Sequence, residues 1–165
     1  MVEPRSWRDL NGRFYNSYRS QPRGLGLAPD LVPVSLQVVS PGQGCDVLTN
    51  VLEISARIQN LGDLRVGPGV AVAFFGVWDG AEPTPLRGGD NAPLVRRLTD
   101  SLEPGFITRL AVTYDTLDNG DNPDRRPDEV LVVVDSEGIP GQGAERECRE
   151  DNNQRARVVE EGVRQ

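Results

Sequence analysis

From Asp30 onward the chain is a succession of short apolar runs that alternate every second residue, each closed by Gly, Pro or Asn. A period of two puts successive side chains on opposite faces of a strand, whereas a helix would repeat every 3.6 residues. In Val51 to Gln59 the pattern sets Ile54, Ala56 and Ile58 on an inner face and Ser55, Arg57 and Gln59 on an outer one. Phe106 to Tyr114 repeats it, with Phe106, Thr108, Leu110 and Val112 opposed to Ile107, Arg109 and Ala111. Val70 to Trp78 is apolar on both faces, as a central strand requires. Leu31 to Val39 offers Val32, Val34, Leu36 and Val38 on one face, and Pro33 assigns it to a sheet edge. Leu94 to Leu98, Glu129 to Asp135 and Cys148 to Arg157 supply the remaining strands. No helical period occurs after Asp30, so the fold expected is all-β: an Ig-like antiparallel β-sandwich of about seven strands. The expected core is Ile54, Ala56, Ile58, Val72, Phe74, Leu110, Val132 and Val134, with Arg57, Gln59 and Arg109 in water.

The punctuation has its own chemistry. Pro104-Gly105 sits at the centre of a turn of type II, which needs a positive φ at its third residue. Asn60-Leu61-Gly62 closes the second strand, and Asn and Gly are the residues that tolerate a positive φ there.

Three units follow from the patterning. Residues 1–29 form an extension, linker or the end of a preceding module, 30–155 the sandwich, and 156–165 a charged tail. The extension holds Trp7, Phe14, Tyr15 and Tyr18, four of the nine aromatic residues. Ser6-Trp7-Arg8-Asp9 has the form of a capping box, and Trp7, Leu10, Phe14 and Tyr18 share one face of a helix started there.

Composition narrows the function classes. The net charge is −7 and the basic residues are all Arg, so a nucleic-acid partner is not expected. There is no His, which removes the Ser-His-Asp and Cys-His arrangements and His-containing zinc sites. No apolar run reaches the length of a membrane span, so no membrane insertion is expected. Cys45 and Cys148, the two cysteines, are too far apart for a CxxC motif, and the expectation is a single disulfide between them. That implies an oxidising, extracellular or cell-surface setting. The polar start of the chain, Met1-Val2-Glu3-Pro4-Arg5, is no signal peptide, so an exported chain of this kind reads as part of a longer one.

The order of the punctuation carries a resemblance. Asp30-Leu31 opens a strand, Asn60-Leu61-Gly62 follows the second, Leu102-Glu103-Pro104-Gly105 precedes another, and Val132-Val133-Val134-Asp135 leads to Glu147-Cys148-Arg149-Glu150-Asp151-Asn152-Asn153. This resembles the CARDB family, the adhesion-related Ig-like domains of bacterial surface and secreted proteins, over about Asp30 to Gln154. The resemblance implies a seven-stranded sandwich used as a spacer or adhesion module, with neighbouring domains of the same polypeptide, a cell-surface protein or a polysaccharide as partners. It carries over no catalytic residue. The stretch Asp115 to Asp128 is longer and more acidic than the family's compact turn, and the cysteine pair departs from its general pattern.

Three constellations could carry chemistry. Asp118, Asn119, Asp121 and Asp124 lie in a Gly-containing loop rich in oxygen donors, as calcium requires, but Pro123 and the absence of a Glu at the EF-hand distance break that register. Otherwise they are turn formers in a solvated loop, with Arg125 and Arg126 balancing charge. Glu147, Glu150 and Asp151 are either surface charge or part of an acid/base pair, and the surface reading is preferred. Trp78 beside Asp79-Gly80 either stacks on a sugar or closes the end of the core, and the second reading is preferred. The function expected is a non-catalytic module, with a calcium- or carbohydrate-binding sandwich as the alternative; no cofactor beyond calcium is implied.

Overall fold

The computed structural model describes residues 28–40, 50–135 and 153–159, together with the backbone of two short strands near the N-terminus. Those two are β1 (Trp7–Arg8) and β2 (Phe14–Tyr15), paired antiparallel. They stand where the capping-box spacing offered a helix, one that Gly12 and the Asn residues separating the aromatics weaken because they are poor helix formers.

The remaining strands are β3 (Leu31–Val39), β4 (Val51–Asn60), β5 (Ala71–Val77), β6 (Thr84–Pro85), β7 (Val95–Arg97), β8 (Ile107–Asp115), β9 (Glu129–Val134) and β10 (Gln154–Val158). They form two packed antiparallel sheets. One has the order β3-β4-β8; in the other β5 is central, with β9 and then β10 on one side and β6 and β7 on the other. The expected sandwich is present with eight strands, and no helix occurs among the described residues. The extra strand is β6, two residues long and too short to show a period.

The alternation of β4 is realised as read, and that of β8 from Thr108 onward; Phe106, read on the inner face, is exposed. Leu52, Ile54, Ala56 and Ile58 are buried, while Glu53 and Arg57 are exposed and Ser55 and Gln59 half-buried. They meet Val112 and Leu110 across the ladder, in the pairs Ile54↔Val112 and Ala56↔Leu110. Val72, Phe74, Val130, Val132 and Val134 close the core from the other sheet. Leu110 is half-buried against that cluster, and Arg109 is exposed.

β3 is an edge strand, as Pro33 requires, but its face is not continuous. The register shifts between Pro33↔Ile58 and Ser35↔Arg57, leaving Val34 as the extra residue of a bulge. Leu31 and Pro33 are therefore buried before the bulge, and Leu36 and Val38 face the core after it. Val32 and Val34 are only half-buried, because one inserted residue reverses the parity of everything upstream.

Asn60 joins the elements at one end of the sandwich, and it does so through its side chain. It is fully buried. Its Oδ1 accepts from the Asp30 and Gly62 amides at 3.2 and 3.0 Å, and its Nδ2 donates to the Leu64 and Leu102 carbonyls at 2.7 and 3.0 Å. Its backbone N–H donates to Phe106 O and its carbonyl accepts from Gly105. Positive φ is not involved, contrary to the reading from sequence: among the described non-glycine residues it occurs at Asp79, Asn91 and Asp135. Gly62 is required by proximity instead, since a Cβ there would lie 2.4 Å from Ala28 O and 2.5 Å from Asp30 N. The Pro104-Gly105 turn has the expected form, with φ +82° at Gly105 and a Phe106 N–H to Glu103 carbonyl bond of 3.0 Å.

Asn60→Leu keeps the volume but leaves two amides and two carbonyls without partners. It should lower unfolding stability by about 3–5 kcal/mol, read from urea midpoints. Asn60→Asp should cost a similar amount, because it turns an acceptor toward the Leu64 and Leu102 carbonyls. A loss below about 1 kcal/mol in both variants would show that Asn60 is not what holds this end together.

Candidate functional site

At the opposite end, the β8–β9 connection (residues 116–128) packs against the β5–β6–β7 connections (residues 78–94). This is where the acidic loop lies. Its amides are committed to backbone. Asn122 Oδ1 accepts from the Arg87 amide at 2.7 Å and its Nδ2 donates to Pro85 O at 3.0 Å. Asn119 Nδ2 donates to Thr116 O and Pro123 O at 2.8 and 2.9 Å and reaches Tyr114 Oη at 3.5 Å. Both asparagines are buried. Asn91 exchanges a pair of bonds with residue 121: its Nδ2 donates to Asp121 Oδ2 at 2.6 Å, and its Oδ1 accepts from the Asp121 amide at 3.1 Å. Gly120, with φ +61°, permits that approach, since a Cβ there would lie 2.3 Å from Asn91 Oδ1.

The four residues read as calcium ligands thus have different surroundings. Asn119 faces inward onto carbonyls. Asp121 is tied to Asn91. Asp118 is exposed and lies against Gly89, where a Cβ would meet its carboxylate. Asp124 is exposed, within electrostatic range of Tyr114. Among the described residues no group of three or more His, Cys, Asp or Glu is placed to hold a metal ion.

Trp78 closes this end of the core. It is 6% exposed. Its ring lies over Gly76, where a Cβ would meet Cη2 at 2.6 Å and Leu86 Cδ2 at 2.8 Å. The indole Nε1 donates to Arg125 O at 3.1 Å. A ring sandwiched this way has no free face on which a sugar could stack. Around it, the Asp79 amide donates to Asp128 Oδ2 at 2.6 Å, and the Arg125 guanidinium bridges Asp79 and Asp128, the latter at 3.6 Å. Arg126 Nη2 reaches Ser40 Oγ at 2.8 Å. Arg125 does balance local charge, as the sequence suggested; the bond from Arg126 to Ser40 is to a neutral hydroxyl.

Sequence reading missed Asn91 and Tyr114, and placed Asn122 in the acidic loop without its partners. The two asparagines were legible as turn formers, but their partners lie 30 and 35 residues away. Tyr114 is the last inward position of β8 and fully buried. Cys45, Cys148, Glu147, Glu150 and Asp151 lie outside the described residues. The Asn153 backbone carbonyl accepts from the Val134 amide at 2.8 Å.

No protein-family model, curated protein or solved structure matches this chain.

Burial holds the Tyr114 phenol above its ordinary pKa; the Asn119 bond acts the other way, and the Asp124 and Asp115 carboxylates add to the rise. The unfolded chain therefore ionises first, from about pH 10, and stability should be level below that point and fall as pH rises towards the folded value. Urea midpoints between about pH 8 and about pH 11 should show this fall, and Tyr114→Phe should flatten it. An equally steep fall in the variant would assign it to other groups.

For the metal, thermal unfolding with calcium and then with chelator should give the same midpoint, because the loop's amides are already engaged with backbone. A chelator-sensitive rise that grows with the logarithm of free calcium would mean that the loop binds it.

Proposed function

We propose that this chain is a non-catalytic module that spaces or links its neighbours in series within a larger exported protein. The observation that carries the reading is where the sandwich begins and ends. β3 starts at the Asn60 end, with Leu31 paired to Asn60. β10 finishes at the other end, where Val158 pairs with Glu129 and the Val159 amide donates to Asp128 O. Chain entering at Leu31 and leaving after Val158 therefore spans the long axis of the sandwich. β3 and β10 run in the same direction on adjoining edges, tied by Arg155 Nη1 to Pro33 O at 3.5 Å. A pull on the two exits would drag these strands in opposite senses and load the sheets in shear.

The ordered punctuation that resembles adhesion-related bacterial domains supports the same class. So does the Asn60 end, where Leu61, Leu64, Phe106 and Ile107 are exposed around the point of entry. Neighbouring domains of the same polypeptide are the partners this end suits. A surface protein or polysaccharide partner has only the resemblance behind it.

Export depends on the cysteines. The connection that carries Cys45 is anchored at the Trp78 end, by Ser40 and Asn50, and the one that carries Cys148 at the Asn60 end, by Asp135 and Asn153. Each cysteine lies five positions from an anchor, a reach of about 17 Å. The level of Val134 and that of Glu129 are about 16 Å apart along β9. The tethers suffice for a bond only if they run towards one another along the flank.

Stretching the full chain at constant pulling speed tests this reading. With Cys45 bonded to Cys148, unfolding frees only the residues outside that loop, whose contour is about 85 Å; reductant should raise the freed contour to about 430 Å, the folded separation of the exits being subtracted from each to give the gain. The event should be a single peak of force. A long gain without reductant would remove the bond and export with it. Extension with no resisting peak would remove the series-linking role.

A further inference from the structure

The two sheets differ in their outer faces. That of the β3-β4-β8 sheet carries Glu53, Ser55, Arg57, Arg109 and Thr113, all in or near water. That of the larger sheet is apolar at its centre, with Arg97, Glu129 and Gln154 at its margins. Across it run the pairs Phe75↔Leu131, Ala73↔Val133, Phe75↔Pro85 and Ala73↔Val95. Phe75 is 0% exposed, and Ala71 and Ala73 are buried, yet none of the three belongs to the sandwich core. Their flanks are progressively open: Leu131 and Val133 are half-buried, and on β10 Val158 is 65% exposed. A phenylalanine on the outward side of a sheet reaches zero exposure only when other atoms lie over it. The cover is narrow and centred on β5.

We infer that the aromatic β1–β2 ribbon of this chain docks on the outer face of β5. It is the one described element that belongs to neither sheet of the sandwich. Its surroundings in sequence supply what an apolar strip needs, namely Trp7, Leu10, Phe14, Tyr15 and Tyr18 within twelve residues. The β9–β10 connection, residues 136–152, offers Ile139 as its one large aliphatic side chain, and residues 41–49 depart from the other sheet at the far end. Charge agrees: residues 1–27 hold five Arg against two acids, in a chain whose net charge is −7. Reach agrees as well. The segment enters the sandwich at Ala28, beside Gly62, at the end where β5 begins. The thirteen residues from Tyr15 to Ala28 span up to about 43 Å, enough to round an end of two sheets about 10 Å apart. The sandwich thereby gains a third layer, and the N-terminal segment is part of the module.

The test is nuclear Overhauser contacts in the full chain from the Ala73 methyl and Phe75 ring. Contacts to the rings of Trp7, Phe14, Tyr15 or Tyr18, within one molecule in a mixed-label sample, are the expected result. Contacts only to residues 136–152, only between molecules, or to no other segment would each overturn the inference. As a second reading, Leu131→Asp places a charge at the margin of the strip. Trypsin should then cut after Arg8 and Arg13 roughly tenfold faster while the thermal transition of the sandwich is kept. Unchanged cleavage, in a variant whose Ala73 and Phe75 signals no longer reach the ribbon, would equally overturn it.

Discussion

One side chain sets the geometry of the end at which the chain enters. An asparagine amide has two acceptor and two donor positions, and Asn60 uses all four, inside the protein, on four backbone groups from three other segments. Each of those groups would otherwise be an amide or carbonyl stranded at the end of a strand, with water excluded. The start of β3, the end of β4, the loop to β5 and the turn before β8 are therefore held in fixed relation without a metal or a covalent link among them. The close passage of Gly62 beneath Ala28 and Asp30 follows from the same bond pattern, since the amide that Asn60 captures is that of Gly62.

The other end is built on the same principle with more parts. Asn119, Asn122 and Asn91 each bond backbone of the connections at this end. The carboxylates that make this loop look like a cation site in sequence are mostly directed elsewhere: Asp128 onto the Asp79 amide and Arg125, Asp121 onto Asn91. A loop rich in Asp and Asn can thus be acidic for a structural reason, because these residues bond nearby backbone more readily than any others. With Trp78 beneath them, the loops form a lid over the core.

Between these ends the two sheets share one core but meet the outside differently. The three-stranded sheet presents charged and hydroxyl side chains and has the one wet face usual for antiparallel sheets. The five-stranded sheet is apolar on both sides of β5, which suits burial by a further layer and would be a liability without one. The aromatic N-terminal segment and the outer face of β5 are then two halves of a single feature. The sandwich begins and ends at opposite ends, as the proposed series-linking role would require.

The sequence by itself determined the strand class, the positions of six of the eight sandwich strands to within a few residues, and the inner faces of β4 and β8, because a period of two depends only on neighbours along the chain. It also marked Pro33 as an edge residue and Pro104-Gly105 as a turn, since both follow from the residue's own covalent geometry. What it left open has a common cause. The bulge at Val34 reverses a face without altering the composition of the strand. The bonds of Asn60, Asn91 and Asn122 reach partners 30 to 42 residues distant. β6 is held by its pairing with Phe75 and Gly76, not by its own two residues. The second apolar face of β5 was visible in the sequence, but which side met the other sheet and which called for a separate cover was not. That assignment exists only once the sheets are packed, because it is made by neighbours that chain order does not bring together.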